Sequence, residues 1–127
     1  MSVTETEKAI SGLWDQHMAS EFGAKSTDQA LATMTANPHV NLVPLMNGAV
    51  GREELGEFYS KHFLNQIPPD MEMVSVSRTV GQGRVVDEMV ARFTHSIQMD
   101  WLLPGLRPTG KRVELPFVVI AQTEGDK

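Results

Sequence analysis

With 127 residues, 41% of them hydrophobic, the chain can enclose one core or one pocket, so residues 1–127 are expected to form a single domain. Eleven basic against 16 acidic residues leave a formal charge of -5 with no Lys/Arg run, which excludes the electrostatic footprint of nucleic-acid or anionic-membrane binding. The absence of cysteine excludes disulfides, a thiolate nucleophile and Cys-ligated metal, and it suits a reducing, cytoplasmic setting.

The N-terminus, MSVTETEKAISGLW, carries acids where a signal peptide needs a basic region followed by an apolar run. From about residue 4 to 22 apolar residues recur at helical spacing. At 100° per residue Ile10, Trp14, His17 and Glu21 fall within one narrow stripe, flanked by Leu13 and Met18. Two ionisable groups thus stand in an apolar stripe, four residues apart, where a carboxylate would orient the imidazole. Gly23 is a stop signal, and Ser26 with Gln29 three positions on opens a shorter helix to about Met34. Next come a turn at Asn37-Pro38, a β-prone run broken by Pro44, a tight turn at Asn47-Gly48 and a brief return strand. A third helix is expected over roughly 52 to 63, with Leu55, Phe58, Tyr59, His62 and Phe63 on one face.

The second half changes period. MEMVSVSRTV, RVVDEMVARFTHSIQMDW and RVELPFVVIAQ alternate with GQG and LLPGLRPTGK, the pattern of an antiparallel meander. Helices first and strands last indicate an α+β fold.

On the long central run, odd positions from 85 to 101 are Val, Asp, Met, Ala, Phe, His, Ile, Met and Trp, which assigns them inward. His95 is then enclosed by Phe93, Ile97 and Met99, while Asp100 falls on the opposite face. Asp87 shares the inward parity but lies roughly 26 Å from His95 along an unbent strand, too far for a direct partner. Arg78 and Glu88 flank the GQG hairpin on outward faces, where a cross-strand pair would be structural. His39 and His62 lack companions at metal-ligand spacing, and no phosphate loop, GxSxG or dinucleotide fingerprint occurs. Neither a metal nor a cofactor is expected. Tyr59 is a hydrogen-bond donor candidate, and Trp14 and Trp101 are candidate aromatic walls of a pocket.

The order of these elements resembles the nuclear transport factor 2-like superfamily, in its SnoaL-like (polyketide cyclase-like) branch. The stretches that carry the resemblance are PLMNGAVGREEL at 44 to 55, SRTVGQGRVVDE at 77 to 88 and FTHSIQMDWLLPGLRPTGKRVELP at 93 to 116. It implies a cone-shaped α+β barrel in which a strongly curved antiparallel sheet wraps the N-terminal helices around a deep apolar cavity. It also implies acid/base chemistry without a cofactor, of isomerase, cyclase or lyase type, on a hydrophobic carbonyl- or lactone-bearing small molecule. A non-catalytic binding or oligomerisation module is the alternative.

His95 takes the place of the family's strand histidine, assisted by His17 and Glu21. Trp14, Tyr59, Phe93, Ile97, Met99 and Trp101 would line the cavity. The strand that follows a turn like TEGDK in this family, and bears its acid, is missing here, which leaves Asp100 as a substitute acid. A homodimer through the sheet face or an exposed edge strand is the implied assembly.

Overall fold

The computed structural model describes residues 3–43 and 45–127, so the expected break at Pro44 lies outside the described residues. Helix α1 (Val3–Met18) runs directly into a π-helical turn, Ala19–Gly23, closed by the bond from Ala24 N to Ala19 O at 2.9 Å. Helix α2 (Thr27–Ala32) begins where Ser26 Oγ accepts from Gln29 N at 3.2 Å, as the Ser/Gln spacing predicts. The third helix divides in the same way as the first. Helix α3 (Arg52–Phe58) continues as a π turn over Tyr59–Phe63 and a 3-10 turn over Leu64–Gln66.

Strands β1 (His39–Leu42) and β2 (Asn47–Val50) pair antiparallel, with Leu42 opposite Asn47. The reversal therefore precedes Asn47-Gly48 instead of occupying it. Gly48 has another duty: at φ 135° a Cβ there would overlap the Val40 carbonyl, so only glycine lets the strands approach.

Strands β3 (Glu72–Gly81), β4 (Arg84–Thr94) and β5 (Arg112–Gln122) form the meander in the order β3-β4-β5. Gln82 and Gly83, both at positive φ, make the two-residue turn between β3 and β4. The sheet curves over the helices and is not closed into a barrel. Inward parity holds as expected: Val85, Asp87, Met89, Ala91 and Phe93 are buried on β4, and His95, Met99 and Trp101 remain so beyond its end.

Strand β3 does not keep one parity. Ser75 faces Met89, Ser77 faces Glu88 and Arg78 faces Asp87, so Val76 is an unpaired bulge residue. The extra residue turns Arg78 from the outer face, where unbroken alternation from Ser75 would put it, to the inner one. Glu88 stays outside and accepts from Ser77 Oγ at 2.9 Å, so the expected Arg78/Glu88 pair is replaced by Arg78/Asp87.

The bond from His95 N to Lys111 O at 2.9 Å sets the phase of the β4-β5 ladder. Odd residues of β4 make its bonded pairs, and Val90 opposite Pro116 is a non-bonded pair. The missing N–H of Pro116 therefore lies on the open side of β5.

The core joins Leu55, Phe58, Tyr59, Phe63, Leu64 and Ile67 of the third helical segment to Ala91, Phe93, Met99 and Trp101. Phe63 meets Trp101 edge to face at 4.9 Å between centroids.

Candidate functional site

The two π turns deliver Glu21 and Tyr59 to the same buried cluster as His17. A π turn adds a residue to the helical repeat and re-aims the side chains after it, a feature found often at functional sites. His17 Nε2 stands 3.1 Å from Glu21 Oε1, with their side chains 15% and 8% exposed. Its other nitrogen, Nδ1, lies 2.6 Å from Thr33 Oγ1, and that hydroxyl donates to Ala30 O at 2.7 Å. With that hydroxyl turned to Ala30, Thr33 accepts from His17 Nδ1–H, and Nε2 faces the Glu21 carboxylate. Burial first, then the charge of Glu21 and a hydrogen bond to it, push the Tyr59 phenol well above its usual range. Tyr59 thus remains a donor to the carboxylate. Trp14 stacks on the His17 ring at 5.7 Å and 24°.

A second polar group lies on the sheet side of Trp14. Asp87 is fully buried, and its carboxylate accepts from Trp14 Nε1 at 2.9 Å, Ser75 Oγ at 2.6 Å and Arg78 Nη2 at 2.9 Å. Burial alone would raise its pKa. The hydrogen bonds from Ser75, Trp14 and Arg78, with the Arg78 charge, outweigh burial and hold it below the ordinary carboxylate range. Arg78 Nη1 reaches back to Ser11 and Asp15 of α1, each at 2.9 Å. A cleft of about 290 Å³ lies between this helix and the sheet, lined by Asp15, Met18, Phe22, Met73, Ser75 and Arg78 among others.

His95 stands apart from these groups in its bonding. It is 1% exposed, and its Nδ1 lies 3.1 Å from Thr109 Oγ1 and accepts from Thr109 N at 3.3 Å. An accepting Nδ1 puts the proton of the neutral ring on Nε2, which has no partner among the described residues. Asp100 does not join it: the residue is exposed, and its carboxylate accepts from Gln98 Nε2 at 2.8 Å and Gly105 N at 2.9 Å, bonds that lower its pKa. Its work is to close the loop.

Phe93, Met99 and Trp101 are at most 4% exposed and belong to the packed core, with Ile97 at its margin. The interior expected to be a deep cavity is filled there by side chains. Among the described residues no group of three His, Asp or Glu side chains is arranged to hold a metal ion, and no helix is long and apolar enough to cross a membrane.

The sequence pointed to His17 with Glu21 through their spacing, but not to Thr33, Ser75, Arg78 or Asp87 as their surroundings. Only the bulge at Val76 brings Arg78 inside, and an irregularity of one residue leaves no periodic signal.

No family model and no curated protein matches the sequence. The fold does match solved structures. A protein from Jannaschia sp. CCS1, provisionally described as a SnoaL-like polyketide cyclase, superposes with a TM-score of 0.73 at 18% identity, over 95% of this chain and 81% of that one. One from Acidithiobacillus ferrooxidans, provisionally described as a polyketide cyclase, gives 0.60 at 17% identity, over 99% and 84%. A designed NTF2-like protein gives 0.60 at 14% identity, over 97% and 91%. The chain therefore has the nuclear transport factor 2-like fold.

Proposed function

We propose that this protein is a cofactor-independent acid/base enzyme, of isomerase, cyclase or lyase type, acting on a hydrophobic small molecule that bears a carbonyl or lactone. The observation that carries the reading is the His17 Nε2 to Glu21 Oε1 approach of 3.1 Å between two largely buried side chains. An imidazole with its proton on Nδ1 can take up a substrate proton at Nε2, beside the carboxylate, and give it back from there. Thr33 fixes one end of the ring, and Tyr59 keeps the carboxylate supplied with a donor. In this reading the pair removes a proton beside the carbonyl and returns it to a different atom, while the apolar body of the substrate rests in the flanking cleft. His95 also carries an Nε2–H donor without a protein acceptor among the described residues, but it is buried and does not line that cleft. The solved structures of the same fold that are described as polyketide cyclases support a carbonyl substrate.

The test is α-proton exchange in D2O, followed by NMR over a panel of cyclic ketones and lactones. His17→Gln should slow exchange on the order of 100- to 10,000-fold with folding intact. His95→Gln should weaken it less. Equal exchange by wild type and His17→Gln would sink the assignment.

The second reading is a small-molecule-binding or oligomerisation module without catalysis. It is favoured by the close packing of Phe93, Met99 and Trp101, and binding without exchange across the panel would select it. Under either reading the protein is proposed to be a homodimer joined through the outer face of the sheet.

A further inference from the structure

We propose that Trp14, clamped by Asp87, is a positioning residue that fixes the ring plane and tautomer of His17, an inference that rests on the catalytic reading of His17. The indole is 8% exposed and lies on one face of the imidazole, with centroids 5.7 Å apart. The bond from Nε1 to Asp87 Oδ2 at 2.9 Å adds a directional tie to that packing and fixes the indole's edge.

Asp87 is itself immobilised. Ser75 Oγ occupies one carboxylate oxygen, Arg78 Nη2 shares the other with Trp14, and Arg78 Nη1 returns to Asp15, the residue next to Trp14. The circuit Trp14, Asp87, Arg78, Asp15 closes on α1 and locks the helix face that carries His17 to strands β3 and β4. Every member is an ordinary side chain, but the arrangement exists only because the Val76 bulge turns Arg78 inward.

The imidazole then has three constraints from three directions: the indole on its face, Thr33 Oγ1 at Nδ1 and Glu21 Oε1 at Nε2. The face contact matters because the two edge contacts differ in chemistry. Rotation of the ring by half a turn would bring carbon atoms to Thr33 and Glu21 and remove both bonds. A clamped indole opposes the tilt such a turn needs. The titratable groups around the ring are Glu21 from its own helical run and Tyr59, through Glu21, from the second π turn. Asp87, Arg78 and Asp15 act through Trp14.

The test is the 15N spectrum of His17 in uniformly labelled protein, assigned with His17→Gln. Wild type should show one set of imidazole shifts, with an Nδ1 proton protected from exchange with water. Trp14→Leu and Asp87→Val should each shift the two nitrogens toward averaged values and abolish that protection. Asp87→Asn, whose amide oxygen still accepts from the indole, should restore the wild-type pattern. Trp14→Phe removes the N–H while retaining most of the ring, and should also average the shifts; it serves if Trp14→Leu or Asp87→Val fails to fold. Wild-type shifts and protection in folded Trp14→Leu or Trp14→Phe would overturn the proposal. The spectrum requires no turnover. A shifted pattern combined with exchange activity that survives His17→Gln would uphold the positioning role and remove the catalytic one.

Discussion

Asp87 and Arg78 face each other across β3 and β4, 2.9 Å apart at Oδ2 and Nη2, with the carboxylate wholly removed from solvent. A buried ion pair is costly to break from one side, because the partner left behind keeps its desolvation penalty without its counter-charge. Asp87 also serves Trp14 and Ser75, so its loss strands three donors at once.

Asp87→Ala should therefore reduce unfolding free energy by about 3 to 5 kcal/mol, measured by urea denaturation at neutral pH. The pH dependence has a defined sign. The folded pKa lies below the unfolded one, so the stabilisation is full above the ordinary carboxylate range and is lost as pH falls through it toward the folded value. Between about pH 4 and pH 2, wild type should lose stability that Asp87→Asn does not have to lose. Parallel acid limbs for the two proteins would contradict this account.

Tyr59 is the single tyrosine in the chain, so its ionisation can be followed without interference. Absorbance near 295 nm should stay flat as pH rises past the ordinary phenol range and change only on unfolding. Its folded pKa is raised, so its contribution to stability is whole below about pH 10 and declines above it. Tyr59→Phe should cost about 1.5 to 3 kcal/mol, the range for a hydrogen bond to a charged group. It should also lower exchange activity if Glu21 takes part in proton transfer.

The outer sheet face carries Val76, Val118 and Ile120 at 60%, 67% and 67% exposure, with Val74 and Val86 beside them. Val86 and Ile120 are direct cross-strand neighbours, and with Val118 they form an apolar strip that Glu88, opposite Val118, interrupts toward β3. Arg92 and Glu114 pair at 3.3 Å at one end of it. A second copy of the chain placed face to face would cover that strip. Replacing both Val118 and Ile120 by Lys should yield monomers in sedimentation equilibrium at concentrations where wild type is dimeric. A wild type that is monomeric throughout would remove the proposal.

Periodic features of this protein are visible in its sequence, and single-residue departures from period are not. Inward parity along β4, the helical stripe of Trp14, His17 and Glu21, and the Ser26 cap all come from spacing that repeats or from a local motif. The π turns at Ala19–Gly23 and Tyr59–Phe63 insert one residue without altering which residue types are apolar, so they read as plain helix. The Val76 bulge behaves likewise and moves Arg78 from the expected surface pair to the interior. The candidate site depends on all three irregularities. His17 and Glu21 are legible because they lie one helical turn apart, whereas the bond that ties Trp14 to Asp87 spans 73 positions of sequence.

Pro116 has a consequence for how the chain behaves in a crowded solution. Its absent N–H falls near the middle of the open side of β5, where an incoming strand would look for a donor. Such a strand would forfeit a ladder bond at that position, and a proline placed there blunts the free edge as a template for further pairing. In the proposed homodimer the sheet face, and not this edge, would join the two copies.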